Sequence, residues 1–119
     1  MIVLKTRREI ELMREAGRIS AEALRLAGQA VQPGITTAEI DKIAYDYIIS
    51  QGAKPSFLNY NGFPATACIS VNNEVIHGIP DNKHIIREGD IVSIDLGAVI
   101  NGFHGDNAAT FPCGKISPA

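Results

Sequence analysis

The stretch from Ile91 to Phe111 constrains the fold of this 119-residue chain more than any other. Two runs of strand-forming residues flank Asn101-Gly102, the dipeptide that a tight type I′ hairpin turn prefers. A two-residue turn there sets the register: Ile100 faces Phe103, Gly97 faces Asp106 and Asp95 faces Ala108. Side chains alternate along a strand, so Asp95 and Asp106 are predicted on one face, as diagonal neighbours with Gly97 between them. Such neighbours stand ~7–8 Å apart at the backbone, close enough for carboxylates to lean together.

The two faces of this hairpin differ in chemistry. One carries Val92, Ile94, Leu96, Ala98, Ile100, Phe103 and Phe111, and requires a partner layer. The other carries Ser93, Asp95, Gly97, His104, Asp106, Ala108 and Thr110. Two acids this close repel, and one would rise in pKa unless a cation lies between them. A solvated strand face is one reading of this pattern. Such a face usually carries Lys, Glu or Thr, however, whereas this one is a shallow cup of Gly, Ala and Ser. A divalent ion held by oxygen ligands fits that cup better.

Composition sets the frame. At 45% hydrophobic and 20% charged residues, the chain has the make-up of an ordinary globular domain with a modest core. A net charge of −2 and the lack of a basic cluster argue against a nucleic-acid partner. Cys68 and Cys113 are too few for a disulfide scaffold and form no CxxC, so free thiols in a reducing cytoplasm are expected. The N-terminus has the wrong order of charge and apolar residues for a signal peptide, and no apolar run reaches the ~18 residues of a membrane span. A cytoplasmic location with no membrane attachment is the expectation.

Two helices precede the strands. Thr6-Arg-Arg-Glu9 is a capping box that opens a helix running to about Ala30. Its apolar stripe comprises Ile10, Met13, Leu24, Ala27 and Val31, widened by Leu12, Ala16, Ile19, Ala23 and Leu26. Thr36-Thr-Ala-Glu39 is a second capping box, for a helix to about Ser50, with Gly52 as its stop. Two amphipathic helices of this kind cover the apolar face of a sheet. Lys54 to Pro64 reads as an aromatic-rich loop, either tucked on the core or lining a pocket. Thr66–Val71 and Val75–Ile79 read as a further strand pair. His77, taken alone, would most often be a structural histidine. Ser117-Pro118 has the form of a helix opening where the sequence stops, which reads as a cut.

These stretches together resemble the methionine aminopeptidases, metal-dependent enzymes that remove the initiator methionine. Glu9-Ile-Glu-Leu-Met13-Arg-Glu-Ala16-Gly17-Arg18 looks like their first helix, and Val71-Asn-Asn-Glu-Val-Ile-His77-Gly-Ile-Pro80-Asp81 like their histidine loop. Gly89-Asp90-Ile-Val-Ser-Ile-Asp95 and Gly102-Phe-His104-Gly105-Asp106 are similar to the segments bearing their first two metal ligands. The resemblance spans the whole chain and is greatest to the single-domain bacterial branch.

The resemblance implies an α+β fold: half of a pita-bread architecture, with two amphipathic helices covering an antiparallel sheet, residues 1–119 being the N-terminal half and the C-terminal half absent. It places Asp95 and Asp106 on two metal-binding carboxylates, His77 on the catalytic histidine, and Tyr60 and Phe63 on the wall of the methionine pocket. Phe57 matches a wall position where a smaller residue, often Cys, is expected; Asn61 and Phe63 stand where some members have His and Tyr. The family's complete site holds two divalent ions, Mn, Fe, Co or Zn, and takes a His and two Glu from the second half. Two carboxylates alone would bind metal weakly or not at all, and activity of these 119 residues alone would be feeble or nil. The substrate implied is the N-terminus of a nascent peptide. A half fold also exposes a sheet face and a strand edge, an invitation to pair with a second copy. Two alternatives stand beside this reading: a non-enzymatic pita-bread interaction module, and an Xaa-Pro peptidase relative. The acid pair argues against the first, and a first helix beginning at Thr6 argues against the second.

Overall fold

A computed structural model describes residues 7–58, 65–72, 79–80 and 82–114. Helix α1 (Arg7–Gln29) and helix α2 (Thr37–Ser50) are followed by strands β1 (Lys54–Pro55), β2 (Ala67–Val71), β3 (Ile91–Ile100) and β4 (Phe103–Pro112). β3 is the centre of the antiparallel sheet. β4 pairs along its whole length on one side, and β1 and β2 pair end to end on the other.

The helices lie on one face, where alternation has sorted the apolar residues. Ala67, Ile69 and Val71 of β2 and Val92, Ile94, Leu96 and Ala98 of β3 are buried against Ile19, Ala23, Leu24 and Ala27 of α1 and Ile40, Ala44 and Ile48 of α2. Each large aliphatic side chain buried in this way contributes about 1.5–3 kcal/mol relative to exposure. α1 approaches β4 through glycine. A Cβ on Gly105 would run into the backbone of Ala16 and Gly17, and one on Gly28 would run into the Phe111 ring. The polar residue buried at this contact, Ser20, is matched by Asn107, whose Nδ2 donates to Ser20 Oγ at 2.9 Å.

The expected α1 stripe is right in its middle and wrong at its start. Ile10 and Met13 are exposed, at 40% and 37%, because the first turns of α1 extend past the residues that bury its later turns. α2 begins as expected, with the Thr36 hydroxyl accepting from Glu39 N at 3.1 Å; the Glu39 carboxylate in turn accepts from that hydroxyl. It ends at Ser50 with Gln51 as its C-cap, and Gly52, at φ +77°, follows. The loop expected from Lys54 begins instead with strand β1, paired to Val99 and Ala98 of β3. The Thr6 cap, most of the expected strand Val75–Ile79 and the expected helix at Ser117 lie outside the described residues.

Two described points of the segment between β2 and β3 are fixed by backbone hydrogen bonds. Ile86 is fully buried and exchanges backbone hydrogen bonds with Gly34 and Ile35 at 2.8 Å each. Asn72 then brackets the entry to β3: its N donates to Ile91 O at 2.7 Å and its Oδ1 accepts from Ile91 N at 2.9 Å. Among the described residues no helix is long and apolar enough to cross a membrane.

Candidate metal centre

The outer face of the sheet carries the chemistry. Asn101 and Gly102 both adopt positive φ, +52° and +82°, which is the type I′ turn, and the register follows from it. Ile100 pairs with Phe103, Gly97 with Asp106 and Asp95 with Ala108. Asp95 and Asp106 therefore emerge on the same face, diagonal across Gly97, as the sequence predicts. Both are exposed, on the side away from the helices.

Gly97 is what lets the second acid lie flat on the sheet. A Cβ there would collide with Asp106 Oδ1 and crowd Ser56 Oγ at 2.9 Å. The Asp106 carboxylate thus occupies a side chain's worth of space left free by glycine. Ser56 borders it because its own N–H donates to Gly97 O at 3.0 Å, continuing the β1 pairing. Ser56, Phe57, His104 and Asp106 line one concavity of about 350 Å³. Asp95 lines a neighbouring one of about 400 Å³ with Cys68, Ser70, Ser93 and Thr110.

The electrostatics are those of two neighbouring acids. Partial burial pushes the Asp95 carboxyl above its ordinary range, and the charge of Asp106 pushes it further. Cys68 stands directly opposite Asp95 on β2. Burial raises its thiol, Asp95 raises it again, and a hydrogen bond with Ser70 offsets part of the rise. Apart from the Cys68 thiol and the His104 ring, the polar side chains lining the two concavities offer oxygen. Oxygen donors suit a hard or borderline divalent ion, and the Ser56 hydroxyl, buried without a hydrogen-bond partner among the described residues, marks polar space beside Asp106. The residues present fit a cation, as part of its ligand set. Among the described residues no group of three or more His, Cys, Asp and Glu converges on one point.

The expected site residues divide into two sets. Asp95, Asp106 and Phe57 lie on or beside the outer face, Phe57 sharing the Asp106 concavity. His77, Tyr60 and Phe63 lie outside the described residues. Ser56 and Cys68 border the acid pair and are not singled out by the sequence reading. The alternation Cys68, Ser70 opposite Asp95, Ser93 was a signal for Cys68; nothing local pointed to Ser56.

The model of metallopeptidase family M24 matches residues 11–119. The chain belongs to metallopeptidase family M24. Within M24, it is 56% identical over 117 residues to the methionine aminopeptidase of Clostridium perfringens, covering 98% of this chain and 47% of that relative. Its fold matches the crystal structure of methionine aminopeptidase from Thermotoga maritima with a TM-score of 0.91 at 40% identity, over 98% of this chain and 47% of that one. The prolidase from Pyrococcus furiosus is a more distant M24-like match, with a TM-score of 0.81 at 27% identity, over 98% of this chain and 33% of that one. This M24 chain spans about half the length of the curated relatives it matches. The expected pita-bread arrangement, two helices over an antiparallel sheet, is the one these neighbours share.

Proposed function

We propose that this chain supplies the N-terminal half of a methionine aminopeptidase site, acting on the N-terminal methionine of a nascent peptide. Asp95 and Asp106 are two of its carboxylate ligands to divalent metal, His77 is its catalytic histidine near the scissile amide, and Tyr60, Phe63 and Phe57 form the wall that receives the methionine side chain. The observation that carries this reading is the β3–β4 register, which sets two acids on one open face across a glycine. Identity supports the substrate class, since the structural match to the methionine aminopeptidase from Thermotoga maritima is 40% identical and that to the prolidase from Pyrococcus furiosus 27%.

Held by Asp95 and Asp106 together with further ligands, a divalent ion would supply Lewis-acid polarisation of the scissile carbonyl and activation of a water. Manganese, iron, cobalt and zinc all suit an oxygen-rich set. The chain's own residues do the positioning. Phe57 borders the same concavity as Asp106, which supports a substrate side chain resting against Phe57 beside the carboxylates. The remaining ligands come from outside these 119 residues, from the rest of the fold or from a second copy packed on the outer face. A native mass at micromolar concentration separates those two arrangements.

The test is a fusion of this chain to the remaining portion of the Clostridium perfringens relative, assayed with manganese. Chelator-sensitive release of methionine from Met-Ala-Ser, absent with an Xaa-Pro peptide and lost in D106N, is the expected result. A folded fusion that releases nothing, or a D106N fusion as active as its parent, overturns the reading.

A further inference from the structure

We infer that Ser56 is a positioning residue for Asp106: when a cation is held between the two acids, the Ser56 hydroxyl donates to the Asp106 carboxylate and fixes its orientation. The inference rests on the reading of Asp95 and Asp106 as metal ligands, and adds a residue that sequence reasoning did not single out.

The first observation is an unmet hydrogen bond. Ser56 Oγ is buried and has no hydrogen-bond partner among the described residues, which is costly for a hydroxyl unless a state of the protein supplies one. The second is location. One point, where a Cβ of Gly97 would stand, lies against both Asp106 Oδ1 and Ser56 Oγ, and the two residues line the same concavity. The third is rigidity. Ser56 is held to β3 by its own N–H on Gly97 O at 3.0 Å, immediately after Pro55 pairs with Ala98, so its backbone is set by the strand that carries Asp95.

The chemistry of the partners completes the case. An ionised carboxylate is an acceptor with room for several donors, and a serine hydroxyl is a single donor free to rotate. A carboxylate that gives one lone pair to a cation retains others for a neighbouring donor. Such outer donors orient metal-binding carboxylates, and their removal typically lowers metal affinity ~10–100-fold. Phe57 and His104, which share the concavity, offer no hydroxyl for this task.

The test is a manganese(II) titration of the fusion described above, which supplies the remaining ligands, followed by paramagnetic broadening of the backbone amides of Gly97 and Asp106, a readout that needs no turnover. Wild type, S56A and S56T are compared, with folding checked by circular dichroism. The expected result is roughly a tenfold or greater loss of affinity in S56A, with affinity kept in S56T. Equal affinity in wild type and S56A overturns the inference and leaves the ligand reading standing. Equal loss in S56A and S56T also overturns it, since the hydroxyl would then not be what matters. No broadening at Gly97 and Asp106 in the wild type overturns the ligand reading itself, and the inference with it.

Discussion

Asp106 lies over Gly97. The carboxylate fills the space that any side chain at Gly97 would occupy, and the hairpin register places Asp95 two residues along the same strand face. A close approach of this kind ties one glycine to the geometry of the acid pair while leaving the core on the opposite face untouched.

Gly97→Ala is therefore expected to separate binding from stability. The new methyl group displaces the Asp106 carboxylate and presses on Ser56, so manganese affinity should fall about tenfold or more. The urea midpoint should move little. Binding and unfolding measured on the same preparation check this, and parallel losses would contradict it.

Gly105→Ala should do the reverse. Its Cβ meets the backbone of Ala16 and Gly17 in α1, which cannot move aside as a flexible side chain would. Overpacking of this type costs about 1–3 kcal/mol, readable in equilibrium urea unfolding. Any loss of metal affinity should be small beside that of Gly97→Ala.

Asp41 of α2 reaches across to the start of β2, where its Oδ1 accepts from Ala67 N at 2.7 Å. Burial raises this carboxyl, while hydrogen bonds from the Ala67 and Thr66 amides oppose the rise. Asp41→Ala leaves those amides without their acceptor. A loss of about 2 kcal/mol in urea unfolding is expected, because orphaned buried donors cost about 1–3 kcal/mol.

Asp90 gives a pH signature. Its carboxyl is held below the ordinary range, first by the Arg87 N–H and then by the Asn72 side-chain amide. A depressed folded-state value means the contribution is fully present above the ordinary carboxylate range and fades as pH falls through the folded value. Wild type should exceed Asp90→Ala by about 1 kcal/mol at neutral pH, and the gap should close in acid. A gap that is constant with pH would show that the charge of Asp90 plays no part.

Much of the fold was legible where the signal was local. Asn101-Gly102 selects its turn by backbone geometry, and strict alternation on both sides then sets the register and the position of Asp95 and Asp106. Ile10 and Met13 misled because periodicity reports an apolar stripe and not how far the neighbouring elements cover it. β1 was missed because two residues, one of them Pro55, carry no strand signal; it exists through its pairing with Val99 and Ala98. Ser56 was invisible for the same reason, since its place beside Asp106 is made by that pairing. The family resemblance was legible across the chain because its motifs fall in order on α1, the hairpin and the segment between them.

The central claim is that Asp95 and Asp106 act together on one divalent cation. A manganese(II) titration of the fusion that supplies the remaining ligands, read by the electron paramagnetic resonance of the free ion, tests it most directly, on wild type, D95N, D106N and the double variant. Saturable binding in wild type, weakened alike by either single substitution and no further by the second, is the predicted result. Binding that is unchanged across all four proteins would contradict it.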